Sequence, residues 1–142
     1  HAFASVDEAA GAIAEITHGH MCHKVIVTVG EVQGKDVDTW MGITAKAGTC
    51  VLTGMGNMME NQVTLNLAML TLLQKNLQGT IFGGANPKLD IPQLLSMYKT
   101  GKLNIEDMIT RQYRLDQINE GYADMLEGRN IRGVIRYTDD DH

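Results

Sequence analysis

The chain has 142 residues, enough for one domain of ordinary size with its own core. Its 44% hydrophobic and 20% charged residues match a water-soluble globular protein. A formal net charge of −5 excludes a sequence-independent nucleic-acid surface, which requires a basic face.

The chain opens on His1-Ala-Phe-Ala, without an initiator Met, and reads as the tail of a strand whose beginning lies upstream, so a fragment is expected. Ser5-Val-Asp-Glu8 has the form of a capping box, with Ser5 and Glu8 each reaching the other's amide. The helix it starts carries Val6, Ala9, Ala10, Ile13 and Ile16 at helical spacing and runs to Thr17. Next comes His18-Gly-His20-Met-Cys22-His23, where three imidazoles and a thiol suggest zinc. Structural zinc sites draw on two separated ligand pairs, and no second pair follows, so a polar helix-to-strand connection is the preferred reading.

Lys24 to Gly30 is a short apolar run ending on glycine, expected to be a buried strand. A loop from Glu31 to Lys35 follows. Asp36 then caps a helix presenting Val37, Trp40, Met41 and Thr44, closing before Gly48. The stretch from Ala47 to Met55 reads as the central strand, and strand, helix, strand at this spacing predicts a right-handed crossover with parallel strands. Ligands bind off the carboxyl ends of such strands, which points to Thr53, Gly54 and Met55. Gly54 to Met59 imitates part of a dinucleotide fingerprint but lacks its third glycine, and reads as a turn.

Residues 61–76 are rich in Leu and Met (Leu65, Leu67, Met69, Leu70, Leu72, Leu73), which predicts a buried helix or an interface with a second subunit. Leu77 to Gly84 is a third glycine-terminated strand. Asp90-Ile-Pro92-Gln93 opens a helix with Ile91, Leu94, Leu95 and Tyr98 on one side, stopped by Gly101. A short turn is expected over Asn104 to Met108 and a strand over Thr110 to Leu115. Asp116 caps a helix with Ile118, Tyr122, Met125 and Leu126 inward, ending at Gly128. Ile131 to Tyr137 is a strand with Arg132 and Arg136 opposite Ile131 and Ile135, and the tail 138–142 has no reason to be ordered. Cys22 and Cys50 make no disulfide framework, and no run has transmembrane length, so a reducing, cytoplasmic setting without membrane contact is expected. Neither a signal peptide nor a polybasic anchor is expected.

Four ordered motifs, Gly79-Thr-Ile-Phe-Gly-Gly84, Asp90-Ile-Pro-Gln-Leu-Leu95, Ile118-Asn-Glu-Gly-Tyr122 and Gly128-Arg-Asn-Ile-Arg-Gly-Val134, carry a resemblance. With them the chain resembles the carboxy-terminal part of the zinc-containing alcohol dehydrogenases of the medium-chain superfamily, most nearly an actinobacterial branch oxidising formaldehyde and longer alcohols. The resemblance implies an α/β fold: residues 1–81 as the later part of a Rossmann doubly wound parallel sheet, and 82–142 as the carboxy-terminal segment of a GroES-like catalytic domain. It implies NAD as cofactor, with Val29 and Gly30 at the adenosine side, Thr53, Gly54 and Met55 beside the nicotinamide, and Phe82 joining Thr53 in backbone contact to the carboxamide. Arg132 is implied at the pyrophosphate, and Met55 and Ile81 in the wall of a pocket for an alcohol or aldehyde. A homodimer through Thr64 to Ile81 is implied as well.

From the residues alone, Phe82 reads as a core side chain and Arg132 equally as a solvent-facing arginine. Glu31 departs from the basic residue some relatives carry at the adenosine edge. The family's zinc ligands, Gly-rich phosphate turn and acidic coenzyme selector lie upstream, so no catalytic or metal-binding residue is expected here and the chain by itself is expected to be inert. Without the first strands, the Lys24 to Gly30 strand is left with an open edge. Two other readings stay open: a non-catalytic nucleotide-binding or dimerisation module, and a small metal-binding domain using His18, His20, Cys22 and His23.

Overall fold

The structure, a computed structural model, describes residues 1–138. Helices and parallel strands alternate in an α/β arrangement, and the chain divides into two compact units, His1–Ala85 and the part from Asn86 onward. Of the tail expected to be unordered, residues 139–142 lie outside the described residues. No helix among the described residues is long and apolar enough to cross a membrane.

The first unit begins with α1, Val6–Ile16, where the Ser5 Oγ accepts from the Glu8 amide at 3.2 Å. Glu8 returns its carboxylate to the amide of Ala4, one residue before the expected partner, at 3.1 Å. The turn after α1 holds His18, Gly19 and Met21 at positive φ, and the chain enters β1, Cys22–Val27. β1 stops three residues earlier than expected, because Glu31–Val32 forms a separate short strand, β2. A 3-10 turn, Gly34–Asp36, leads into α2, Val37–Gly42, and Asp36 gives α2 no side-chain cap.

Thr44, expected on that helix, instead opens β3, Thr44–Leu52, and its hydroxyl donates to the Trp40 carbonyl at 2.9 Å. β4, Met55–Gly56, pairs with β2 in parallel, so the segment read as a turn is partly strand. The Leu-rich segment does not form one long buried helix. Only α3, Leu67–Leu72, is helical, and Leu67, Met69 and Leu72 are exposed. The reason is visible in the backbone before it. The Thr64 amide donates to Gly34 O at 3.0 Å and the Asn66 amide to Asp38 Oδ1 at 2.9 Å, which holds this stretch extended until Asn66 caps the helix. At the other end Gln74 turns to φ 52°, and β5, Asn76–Gly79, begins.

β1, β3 and β5 form one parallel sheet with β3 in the middle. The core is Val27, Val32, Val37, Trp40, Met41 and Cys50, with Val6, Val25, Leu52, Leu65, Leu70 and Leu77 packed around it. α2 supplies half of it, since Val37, Trp40 and Met41 fall on one face at helical spacing. Its open carboxyl end is closed by Lys75, whose Nζ donates to the Met41 carbonyl at 2.6 Å. Burial holds the Lys75 amine below its ordinary range, with Asp38 opposing that shift.

The second unit carries α4, Pro87–Lys99, one turn earlier than expected. Asn86 is the cap, Pro87 occupies the first helical position, and Asp90 Oδ2 accepts from the Asn86 amide. Pro92 therefore sits inside the helix, where it has no amide to donate to the Lys88 carbonyl four residues back. After a turn at Glu106–Met108 come β6, Ile109–Tyr113, a turn at Leu115–Gln117, α5, Ile118–Leu126, and β7, Arg132–Ile135. β6 and β7 pair in parallel.

Met41 is 3% exposed at the centre of the first unit. Met41→Ala should cost about 2–5 kcal/mol through the cavity it leaves. Urea unfolding with an unchanged m value checks it, and a midpoint equal to that of the parent chain refutes it.

Candidate functional site

The carboxyl ends of the three parallel strands lie in one register. Val27 pairs with Leu52 and Leu52 with Gly79, so all three strands stop on a line. Thr53 fixes the first pair beyond the ladder: its amide and its hydroxyl both donate to the Val27 carbonyl, at 3.0 and 2.9 Å. The Thr80 amide does the same for the second pair, donating to Leu52 O at 3.0 Å.

Past this line the two loops touch backbone to backbone. A Cβ on Gly54 would lie 2.2 Å from the Val29 carbonyl oxygen and 3.2 Å from Val32 Cγ2, so no side chain fits there. β2 and β4 continue the contact, pairing Glu31 with Met55 and Val32 with Gly56. The structure thus brings Val29, Gly30, Thr53, Gly54 and Met55 together at one edge of the sheet. The expected strand over Leu77 to Gly84 ends at Gly79, and Ile81 and Phe82 follow it in a bend and a 3-10 turn. Phe82 is 84% exposed at φ 49°, which corrects the reading of it as a core side chain. Met55 and Ile81 are exposed too, at 70% and 72%.

Arg132 lies in the second unit at the start of β7, paired with Ile109. Its side chain has no hydrogen bond or ion pair among the described residues. Beneath it is an arrangement that the hydropathy pattern did not reveal. Asp124, on α5, is 2% exposed, whereas Ile118, Tyr122, Met125 and Leu126, expected to face inward, are all exposed. The buried face of α5 is instead Gly121 and Asp124. The Tyr113 ring packs on that glycine, with a Gly121 Cβ position 3.4 Å from Tyr113 Cδ2. On Gly133 of β7 a Cβ would come within 2.7 Å of Tyr113 Cε2.

The Asp124 carboxylate is fully engaged. Oδ2 accepts from Tyr113 OH at 2.7 Å and from Arg111 Nη1 at 2.8 Å, and Oδ1 accepts from Arg129 Nε at 2.7 Å. Asn130 Nδ2 donates to the Tyr113 hydroxyl at 2.9 Å, and Arg129 also pairs with Glu127. The hydrogen bonds from Tyr113 and Arg129 hold the Asp124 carboxyl below the usual carboxylate range, against the effect of burial. Burial, and then the bond to Asp124, push the Tyr113 phenol up. The signals available in the sequence were two glycines inside regular elements, Gly121 and Gly133, and an acid, Asp124, set among apolar helix positions between Arg111 and Arg129. A cavity of about 200 Å³ opens beside this cluster, walled by Tyr113, Tyr122, Met125, Ile131, Arg132 and Ile135.

Zinc does not fit the residues present: among those described, no three His, Cys, Asp or Glu side chains converge, the His18 to His23 run included. The strand-end edge offers backbone polar groups beside exposed apolar side chains, and Gly30 faces open space where a Cβ would meet nothing within 4 Å.

The zinc-binding dehydrogenase family matches residues 1–100. Alcohol dehydrogenase B of Mycobacterium tuberculosis is 65% identical over 141 residues, covering 99% of this chain and 38% of that protein. The NDMA-dependent alcohol dehydrogenase of Amycolatopsis methanolica is 43% identical over 140 residues, again 99% of this chain and 38% of the relative. The chain therefore spans well under half the length of these relatives. Among solved structures, benzyl alcohol dehydrogenase from Acinetobacter calcoaceticus superposes with a TM-score of 0.81 at 21% identity, over 92% of this chain and 35% of that one. At that identity the likeness concerns the fold.

Two outcomes follow from the geometry. Gly54→Ala should destabilise the first unit by about 1–3 kcal/mol, since the loops must part to admit a methyl group; an unchanged denaturation midpoint refutes this. Asp124 has a lowered folded-state pKa, so its stabilising contribution is present above the unfolded value, about 3.9, and is lost as pH falls toward the folded one. Acid titration of stability should be steeper below about pH 4 in the parent chain than in Asp124→Asn, and equal slopes would contradict it.

Proposed function

The chain belongs to the zinc-binding dehydrogenase family, and on that premise we propose that it is the carboxy-terminal part of an NAD-linked alcohol dehydrogenase. The observation that carries the reading is the shared stop of β1, β3 and β5, with Gly54 seated on the Val29 carbonyl just beyond it. Such an edge of a parallel sheet is where a dinucleotide lies. When bound, the nicotinamide supplies a hydride acceptor for an alcohol or an aldehyde adduct.

The residues present have separate tasks in this reading. Val29 and Gly30 border the adenosine side, where the absence of a side chain at Gly30 leaves room for the ribose. Both donors of Thr53 are spent on Val27, and its carbonyl accepts from the carboxamide N–H. The amide of Phe82 opens a 3-10 turn, a position whose N–H has no partner inside the turn, and it donates to the carboxamide oxygen. Gly54 keeps the loop thin, and Met55 and Ile81 wall the substrate pocket with apolar surface that excludes water. Arg132, whose side chain is unpaired among the described residues, binds the pyrophosphate, a role suited to its two-pronged donor geometry.

In this reading the zinc ligands and the hydride-transfer chemistry belong to residues outside this chain, and the chain by itself is expected to be inert. Its setting is the cytoplasm, with both cysteines reduced. Exposed Leu67, Met69, Leu72 and Ile81, beside the edge strand β5, make Thr64 to Ile81 the surface for a second copy.

In the longer protein carrying this segment, Arg132→Ala should raise the Kd for NAD about 10- to 100-fold, the worth of a charge-assisted contact. An unchanged Kd by fluorescence titration removes Arg132 from the cofactor site. Light scattering on this chain at micromolar concentration should give a dimer, and a monomer throughout that range would rule out the proposed surface.

A further inference from the structure

Arg132 is exposed, yet the backbone on both sides of it is held by specific contacts. Its three predecessors are each tied down. The Arg129 amide donates to the Asp124 carbonyl at 2.8 Å while its Nε donates to the Asp124 carboxylate. Asn130 donates to the Tyr113 hydroxyl, which in turn donates to Asp124. The Ile131 amide donates to Thr110 Oγ1 at 2.9 Å. On the other side, Gly133 lies flush on the Tyr113 ring. Two of these four anchors are bonds to Asp124 or through Tyr113 to it, and the ring under Gly133 is oriented by the same hydroxyl. Asp124 also occupies Arg111 and Arg129, the two neighbouring guanidinium groups that would otherwise compete for an anion.

We propose that Asp124 is a positioning residue for the dinucleotide site: its buried carboxylate fixes residues 129–131 and the Tyr113 ring so that the Arg132 guanidinium is presented to the pyrophosphate. This rests on the reading of Arg132 as a pyrophosphate ligand. A long arginine side chain loses rotamer freedom on binding, and a fixed backbone at its root limits how much more must be ordered. Asp124 itself touches no cofactor in this scheme, so its loss acts on binding and not on the hydride step.

The test is a double-mutant cycle in the longer protein, with NAD as the probe. Asp124→Asn should raise the Kd and KM for NAD about tenfold while kcat at saturating NAD stays within about twofold. In an Arg132→Ala background the same replacement should change Kd by less than about twofold. An equal shift with and without Arg132 overturns the proposal, as does a tighter Kd caused by Arg111 or Arg129 turning to the phosphates. Tyr113→Phe keeps the ring and removes only the bridging hydroxyl, so it serves if Asp124→Asn fails to fold; a smaller shift of the same sign, again dependent on Arg132, is expected, and no shift refutes it. Amide exchange separates the two claims. If Arg132→Ala alone leaves NAD binding unchanged, the pyrophosphate reading has failed; faster exchange at Ile131 to Gly133 in Asp124→Asn would still support the positioning of that turn, and unchanged exchange would overturn it.

Discussion

The first unit depends on two hydrogen bonds that converge on a single atom. Thr53 gives both its amide and its hydroxyl to the carbonyl oxygen of Val27, one residue past the end of β3. Parallel strands are joined by slanted bonds and have no tight turn between them to set where they end. An added bond at the terminus therefore does what a hairpin does in an antiparallel pair. With Val27 and Leu52 locked side by side, the chain leaves the sheet at the same height in both places. Gly54 and Val29 can then meet, and β2 and β4 prolong the junction.

The second unit is organised around a charge in place of an apolar plug. Burying a carboxylate is costly unless its lone pairs are met, and here three donors from β6 and from the turn after α5 meet them. Replacing one partner leaves the rest of the cluster with an unmatched group, so these residues behave as a set. The cluster also specifies register: Tyr113 lies between Gly121 and Gly133, and a larger residue at 133 would push the ring, and β6 with it, away from β7.

Much of this was legible in the sequence, and what was missed has physical causes. The three glycine-terminated apolar runs correctly marked the parallel strands, and the four ordered motifs correctly marked the family. Boundaries moved where backbone bonds outweighed pattern. Thr44 left the helix for β3 because its hydroxyl caps the last turn at Trp40. The Leu-rich segment stayed extended up to Asn66 because Gly34 admits the Gln62 carbonyl against its bare Cα; a Cβ there would stand 2.0 Å from it. Periodicity reports where apolar side chains recur, and nothing about a carbonyl docking on a distant glycine. For the same reason α5 was turned the wrong way: a pattern of hydrophobicity cannot place an acid at the centre of its buried face.

Cys50 lies near the carboxyl end of the central strand β3 with no exposed surface, and burial raises its thiol pKa although Thr44 hydrogen-bonds to it. Reaction with an alkylating or oxidising reagent needs a thiolate in contact with solvent, and the closed sheet denies both. Cys22, at the start of β1, is only half-covered. The pair thus forms a built-in clock: one sulfur answers to the native surface and the other only to the opening of the sheet, so a difference in their labelling rates times that opening without any introduced probe.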